Sequence, residues 1–135
     1  MALSVAIGKP ENGQNPSVRT VSLDGRLDNE SAAQLDQLLL PLWLEPFDLL
    51  VFNLARLAYI SSMGLRSLFV AQKKMQGRQG RTLFVDTQPA VQKVFDIVAA
   101  VDVGSVFASA AELDAYLDSM QRRATQSSSG DPDRA

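Results

Sequence analysis

Two adjacent hydroxyls, Ser61 and Ser62, stand where an apolar, strand-like run gives way to an amphipathic, helix-like spacing. Upstream, Leu49-Leu50-Val51-Phe52 is uninterrupted apolar sequence that ends at Asn53 and is followed by a shorter piece, Leu57-Ala58-Tyr59-Ile60. A fully apolar run of that length suits a strand covered on both faces, as in an α/β sheet. Downstream, Leu65, Leu68, Phe69 and Met75 recur at the spacing of one helix face. A helix N-terminus gathers unpaired backbone N–H groups and the positive end of the macrodipole. A hydroxyl held there either caps the helix or accepts a phosphoryl group. These residue types leave both chemistries open.

Other chemistries are poorly supplied. The chain has no cysteine and no histidine, which removes thiol nucleophiles, Cys/His zinc sites and histidine general bases. A serine hydrolase built on Ser62 would lack a base, since Lys73 lies three turns away along the same helix. Asp24, Asp28, Asp48, Asp86, Asp96 and Asp102 fall mostly at predicted element ends and form no evident acid–base pair. Gly77 and Gly80 with Arg81 match neither a P-loop nor a dinucleotide fingerprint. No catalytic residue, metal or cofactor is therefore expected, and the chain reads as a non-enzyme. A net charge of −2 offers no excess of cations for nucleic acid. Lys73, Lys74, Arg78 and Arg81 read as a solvated helix end. No apolar run approaches the roughly 20 residues of a membrane span. The opening MALSVAIGKPENG lacks a basic leader, so a cytoplasmic chain is expected.

The elements that must position the two serines can be read in order. The 135 residues, 46% apolar and 21% charged, suit one ordinary domain. Leu3–Ile7 predicts a strand, Lys9–Ser17 a turn-rich connection, and Val18–Asp24 a second strand ended by Gly25. Asn29 or Ser31 should cap a helix with Ala32, Leu35, Leu38, Leu39 and Leu42 inward, ended or kinked by Pro41. Trp43, between two prolines, reads as a lid over the core. After the strand at Leu49–Leu54, a helix from about Ser62 to Gln76 has Gly77 as its C′ residue. Thr82–Asp86 predicts a strand, Pro89 opens a helix with Val91, Val94, Phe95 and Val98 inward, and Val103–Phe107 predicts a short edge strand. Ser109 should cap a last helix facing Leu113, Tyr116, Leu117 and Met120 inward. The domain is expected over residues 1–120, with 121–135 a disordered tail. The fold class is α/β: a mixed four- to five-stranded sheet with about four helices, mainly on one face.

The run NLARLAYISSMGLRSL resembles the signature of STAS domains, specifically the anti-sigma factor antagonists. Gly25-Arg26-Leu27-Asp28-Asn29-Glu30-Ser31-Ala32 is similar to that family's segment opening the first helix. Pro89 to Ile97 is similar to its third-helix motif, and the likeness spans roughly residues 3 to 120. The resemblance implies partner switching: an antagonist binds an anti-sigma factor that is also a serine kinase of the GHKL type. That kinase phosphorylates one serine, and a serine phosphatase restores it. Aligned on Gly64, the acceptor falls at Ser62, and the implied partner surface comprises Asp28, Ser61, Ser62, Met63, Gly64 and Arg66. Arg66, one turn beyond Ser62, is placed to pair with a phosphate there. The chain departs from the pattern at Ser61, where the family carries an acidic residue, at Met63, where a small residue is usual, and at Arg66. If the acidic residue matters for phosphorylation, modification is slowed, lost or moved to Ser61. The alternative is a STAS accessory subunit of another assembly, such as a lipid-transport ABC system, with Ser62 only a helix cap.

Overall fold

The computed structural model describes residues 3–8, 17–100 and 109–130. Strand β1 (Ser4–Gly8) runs antiparallel to β2 (Val18–Leu27); helix α1 (Asn29–Leu39) and a 3-10 turn (Pro41–Leu44) lead to β3 (Leu49–Ile60). Helix α2 (Ser62–Gly77), β4 (Arg81–Val85), α3 (Pro89–Ala100) and α4 (Ala110–Gly130) follow. The sheet has four strands among the described residues, in the order β1-β2-β3-β4, with β2, β3 and β4 parallel. The expected strand at Val103–Phe107 lies outside the described residues.

This order explains why the helices share one face. β-α-β crossovers are right-handed as a rule, and a sheet that grows in one direction without reversing then puts successive crossover helices, here α1 and α2, on the same side. Val21, Leu23, Leu27, Leu50, Phe52, Leu54 and Leu57 point into that layer and are buried. They meet Leu35, Leu39, Leu65, Leu68, Met75, Val91 and Val94 from the helices. Phe52, Phe84 and Phe95 stack in series at 5.5 and 5.4 Å between ring centroids, tying α3 to the sheet. The opposite face, with Thr20, Ser22, Val51, Asn53 and Leu83, is half-buried or exposed. The apolar run of β3 is thus not covered by helices on both sides.

Several boundaries differ from the sequence reading for local reasons. Gly25 does not end β2; it sits at φ 116° where the β2–β3 register shifts, and the strand resumes to Leu27. A left-handed backbone at this irregularity is open to glycine at little cost. Strand β3 likewise does not stop near Leu54 but runs 12 residues to Ile60, paired with β2 throughout except at those shifts. Helix α1 is capped by Asp28, not by Asn29 or Ser31. The Asp28 carboxylate accepts from the Ser31 amide at 3.0 Å, and the Ser31 hydroxyl accepts from the Asp28 amide at 2.9 Å. Pro41 ends α1 as expected and opens the 3-10 turn, but Leu38 faces outward. Helix α2 includes Gly77, and the left-handed residue after it is Gln79 at φ 61°. In α4 the buried stripe is Leu117, Met120, Gln121 and Ala124, whereas Tyr116 is exposed. The helix therefore does not give way to a tail at Met120; the stripe keeps its helical spacing past that point.

The Asp28 cap carries a pH-dependent share of stability. The Ser31 amide, aided by its hydroxyl and by Arg26, holds the carboxyl below the ordinary aspartate value despite partial burial. A lowered folded pKa means that the stabilisation is complete above the unfolded pKa and fades as pH falls through the folded one. Asp28→Ala is expected to cost about 1 kcal/mol near neutrality in urea unfolding. The gap between wild type and variant should close as pH drops below about 4. A gap unchanged in acid would show that the carboxylate is not the capping group.

Candidate functional site

The end of β3 is the first part of the site. Strand β4 pairs only with Leu49–Asn53, so the second half of β3 has a neighbour strand on one side alone. Backbone groups along that bare edge must find partners elsewhere or face solvent. Side chains supply them: Ala55 N–H donates to Asn53 Oδ1 at 3.0 Å, and Gln88 Nε2 donates to the Ala55 carbonyl at 2.9 Å. At the far end Gln121 of α4, 2% exposed, mimics a strand. Its Oε1 accepts from the Ile60 amide at 2.9 Å, and its Nε2 donates to the Ile60 carbonyl at 2.7 Å. A further bond to the Leu117 carbonyl at 3.1 Å fixes the amide's orientation.

One residue further, the two serines take different roles. Ser61 is 4% exposed and caps α2. Its amide donates to the Leu27 carbonyl at 2.9 Å, its Oγ accepts from the Gly64 amide at 3.1 Å, and its hydroxyl donates to Asn29 Oδ1 at 3.2 Å. Ser61 is thus spent on joining β2, α1 and α2. Ser62 is the first helical residue, not the cap expected if its role were purely structural. It is half-buried, and its hydroxyl has no partner among the described residues.

The amides around Ser62 are not the open cradle that the sequence suggests. The Ser62 N–H donates to Asp114 Oδ1 of α4 at 2.8 Å. The Ser61 and Gly64 amides are also taken, which leaves the Met63 N–H without a partner among the described residues. A carboxylate at the first turn satisfies the same dipole that would favour a phosphate. Asp114 and Gln121 thus clamp α4 to the β3–α2 junction from Ile60 to Ser62.

The remaining residues of the expected surface separate into two groups. Met63 is 40% exposed and Arg66 is exposed, with no ion pair among the described residues. Gly64 is buried and faces inward: a Cβ there would lie 2.7 Å from the Leu27 carbonyl oxygen and Cγ. It is a packing glycine and not a point of partner approach. Ser61 leaves the outer surface for the same reason, and its burial speaks against it as an alternative acceptor. Asp28 is half-buried and caps α1, next to Asn29, whose Oδ1 accepts the Ser61 hydroxyl. Ser62 and Arg66 line a groove of about 380 Å³ with Leu65, Phe69, Val70 and Leu113. Beside the junction, the Arg26 guanidinium lies 3.9 Å from the Tyr59 ring centroid. Burial, with Asp118 nearby, raises the Tyr59 phenol above its ordinary pKa. Asp114 and Gln121 gave no signal in the sequence, where Asp114 looks like a polar position on the last helix and Gln121 falls in the expected tail.

The family model of the STAS domain matches residues 9–113. This chain belongs to the STAS domain family. No curated protein sequence matches it significantly. Among solved structures, the STAS domain here is similar to an anti-sigma factor antagonist from Mycobacterium paratuberculosis, with a TM-score of 0.63 and 20% identity over 73% of this chain and 80% of that one. It is also similar to the Bacillus cell fate determinant SpoIIAA in its phosphorylated form, at 0.58 and 18% over 70% and 83%. A sulfate transporter family protein from Wolinella succinogenes gives 0.51 and 18% over 80% and 90%. At such identities the likeness is one of fold. Among the described residues, no helix of this STAS domain is long and apolar enough to cross a membrane.

Proposed function

We propose that this STAS domain is a cytoplasmic anti-sigma factor antagonist that binds an anti-sigma factor with GHKL-type serine kinase activity, and that Ser62 is the phosphorylated residue. The observation that carries the reading is the division of labour between neighbouring hydroxyls: Ser61 is buried and fully bonded, while Ser62 Oγ is unpaired among the described residues and borders an apolar groove. The fold shared with an antagonist and with phosphorylated SpoIIAA supports it. The chemistry belongs to the partners. The kinase, with its ATP and magnesium, moves the γ-phosphoryl group to Ser62 Oγ: the bond to the ADP oxygen breaks, the Oγ–P bond forms, and the hydroxyl proton leaves. A serine phosphatase returns the hydroxyl by adding water and releasing inorganic phosphate. The domain itself performs no catalysis.

The partner surface in this reading is Ser62, Met63 and Arg66, with Asp28 at the neighbouring cap of α1. A phosphoserine adds about −1.5 to −2 charges. Within an interface such a charge is costly to desolvate unless it is paired. Ser62→Asp is therefore expected to weaken kinase binding by about 100-fold, whereas Ser62→Ala binds like wild type. Calorimetric titration of the three proteins with the purified partner measures this. Equal affinities for Ser62→Asp and wild type would contradict the reading.

A second reading is a STAS subunit of another assembly, such as a lipid-transport ABC system, and the fold shared with a sulfate transporter family protein favours keeping it. In that reading Ser62 stays unmodified, and transporter components co-purify with the domain in place of a kinase.

A further inference from the structure

We propose that Asp114 is the internal sensor of charge at Ser62: a phosphoryl group there drives the Asp114 carboxylate off the Ser62 amide and frees the N-terminal half of α4 from the domain. The inference deepens the reading above and takes Ser62 as the modified residue.

The geometry brings the two anions into one neighbourhood. Asp114 Oδ1 lies 2.8 Å from the Ser62 nitrogen. Within one serine, covalent geometry keeps Oγ within about 4 Å of its own amide nitrogen in every rotamer. Oγ therefore lies at most about 7 Å from the carboxylate oxygen, within the range at which a phosphoryl group and a carboxylate repel. Two like charges that close, in a half-buried setting, repel far more strongly than they would in water. The cations that line the groove with Ser62, Arg66 and Lys73, both stand on α2 and not beside Asp114 on α4. Arg122, one turn beyond Asp118 on α4, already pairs with Asp118 at 2.6 Å. Arg26 is stacked over Tyr59. Arg66 is free to engage the phosphate, but drawing the phosphate to α2 still leaves Asp114 facing an anion where it had an amide.

The attachment of α4 decides where the conflict is relieved. Leu117, Met120, Gln121 and Ala124 are buried, and Gln121 makes both bonds to Ile60. Before Leu117 the anchorage is lighter: Ala111, Glu112, Ala115 and Tyr116 are exposed, and Leu113 is half-buried against the core. Asp114 is the one polar side chain of this stretch seen bonding the rest of the domain among the described residues, Tyr116 aside. Repulsion at Asp114 thus lifts the first turns of α4 while Gln121 holds the remainder. Leu113 then withdraws from the groove beside Leu65 and Phe69. A modification at one hydroxyl is read out as a change in the surface next to it, in addition to the charge itself.

Hydrogen exchange with mass spectrometry tests the proposal on the isolated full chain. Phosphoserine is installed at position 62 during translation, so no kinase is needed. Amides of residues 110–117 are expected to exchange about tenfold faster than in the unmodified chain, with β2, β3 and residues 118–124 unchanged. In an Asp114→Asn background, where an amide oxygen still accepts from Ser62 without repelling the phosphate, the acceleration is expected to fall below about twofold. Ser62→Glu gives a second, milder charged probe, with Ser62→Gln as the neutral control. Unchanged exchange in 110–117, or an equal response in the Asp114→Asn background, overturns the proposal. Because no partner enters this experiment, a flat result beside phosphate-sensitive kinase binding removes the sensor alone. The expected result beside a kinase that never modifies Ser62 supports the sensor and removes the functional reading.

Discussion

Gln121→Leu is expected to lower the unfolding free energy of the STAS domain by about 3 kcal/mol in urea denaturation. The side chain is 2% exposed, and its amide satisfies both the N–H and the carbonyl of Ile60 at the edge that β4 does not reach. Leucine fills similar space but leaves two buried backbone groups without partners, each worth roughly 1–3 kcal/mol. The apolar gain of leucine offsets part of this. The loss should also appear as faster exchange of the Ile60 amide, which separates it from a general loosening of α4. A change under about 1 kcal/mol would mean that water or the backbone replaces Gln121 without cost.

Gly64→Ala is the second large effect. Its new methyl group would meet the Leu27 carbonyl oxygen and Cγ at 2.7 Å, and Ile60 Cγ1 at 3.1 Å. Leu27 can change rotamer, but its carbonyl also accepts the Ser61 amide at 2.9 Å and cannot retreat without breaking that bond. A destabilisation of about 2–3 kcal/mol is expected, together with displacement of the first turn of α2. Binding of the proposed kinase should then fall by more than the unfolded fraction explains, because Ser62 and Met63 move with that turn. Gly77→Ala is the control. Nothing lies within 4 Å of its added methyl group, and alanine at a helical position stabilises by a few tenths to about 1 kcal/mol. Similar losses for the two variants, in thermal or urea unfolding, would discount the close approach at Gly64.

Much of the scaffold was legible because its signals are local. The spacing of Leu65, Leu68 and Met75, the proline at position 41 and the apolar start of β3 each report a nearest-neighbour constraint. The α/β class and the helices gathered on one face follow from such elements with the handedness of their connections. Boundaries failed where a long-range partner overrode the local signal. Gly25 reads as a stop, yet β3 carries β2 past it. Polar Gln121 reads as the first residue of a disordered tail, yet the bare edge at Ile60 needs its amide.

The site shows the same division. The Ser61-Ser62 step at the start of α2 was visible in the sequence, but which hydroxyl caps depends on Asn29 and the Leu27 carbonyl, about thirty residues earlier. The helix N-terminus also looked vacant because helix physics alone leaves its amides unpaired. Asp114, 52 residues later, fills the Ser62 amide through the packing of α4, and no periodicity announces it. Gly64 looked like a point of approach for a partner and is instead where α2 meets β2.

The most direct measurement is site-resolved mass spectrometry of the chain after incubation with its co-purifying kinase and ATP, on wild type, Ser62→Ala and Ser61→Ala. The expected result is one phosphoryl group on Ser62 in wild type and none in Ser62→Ala, with Ser61→Ala still modified at position 62 in whatever fraction remains folded. Phosphate on Ser61, or a wild-type chain left unmodified by a kinase that binds it, would contradict the assignment of the switch to Ser62.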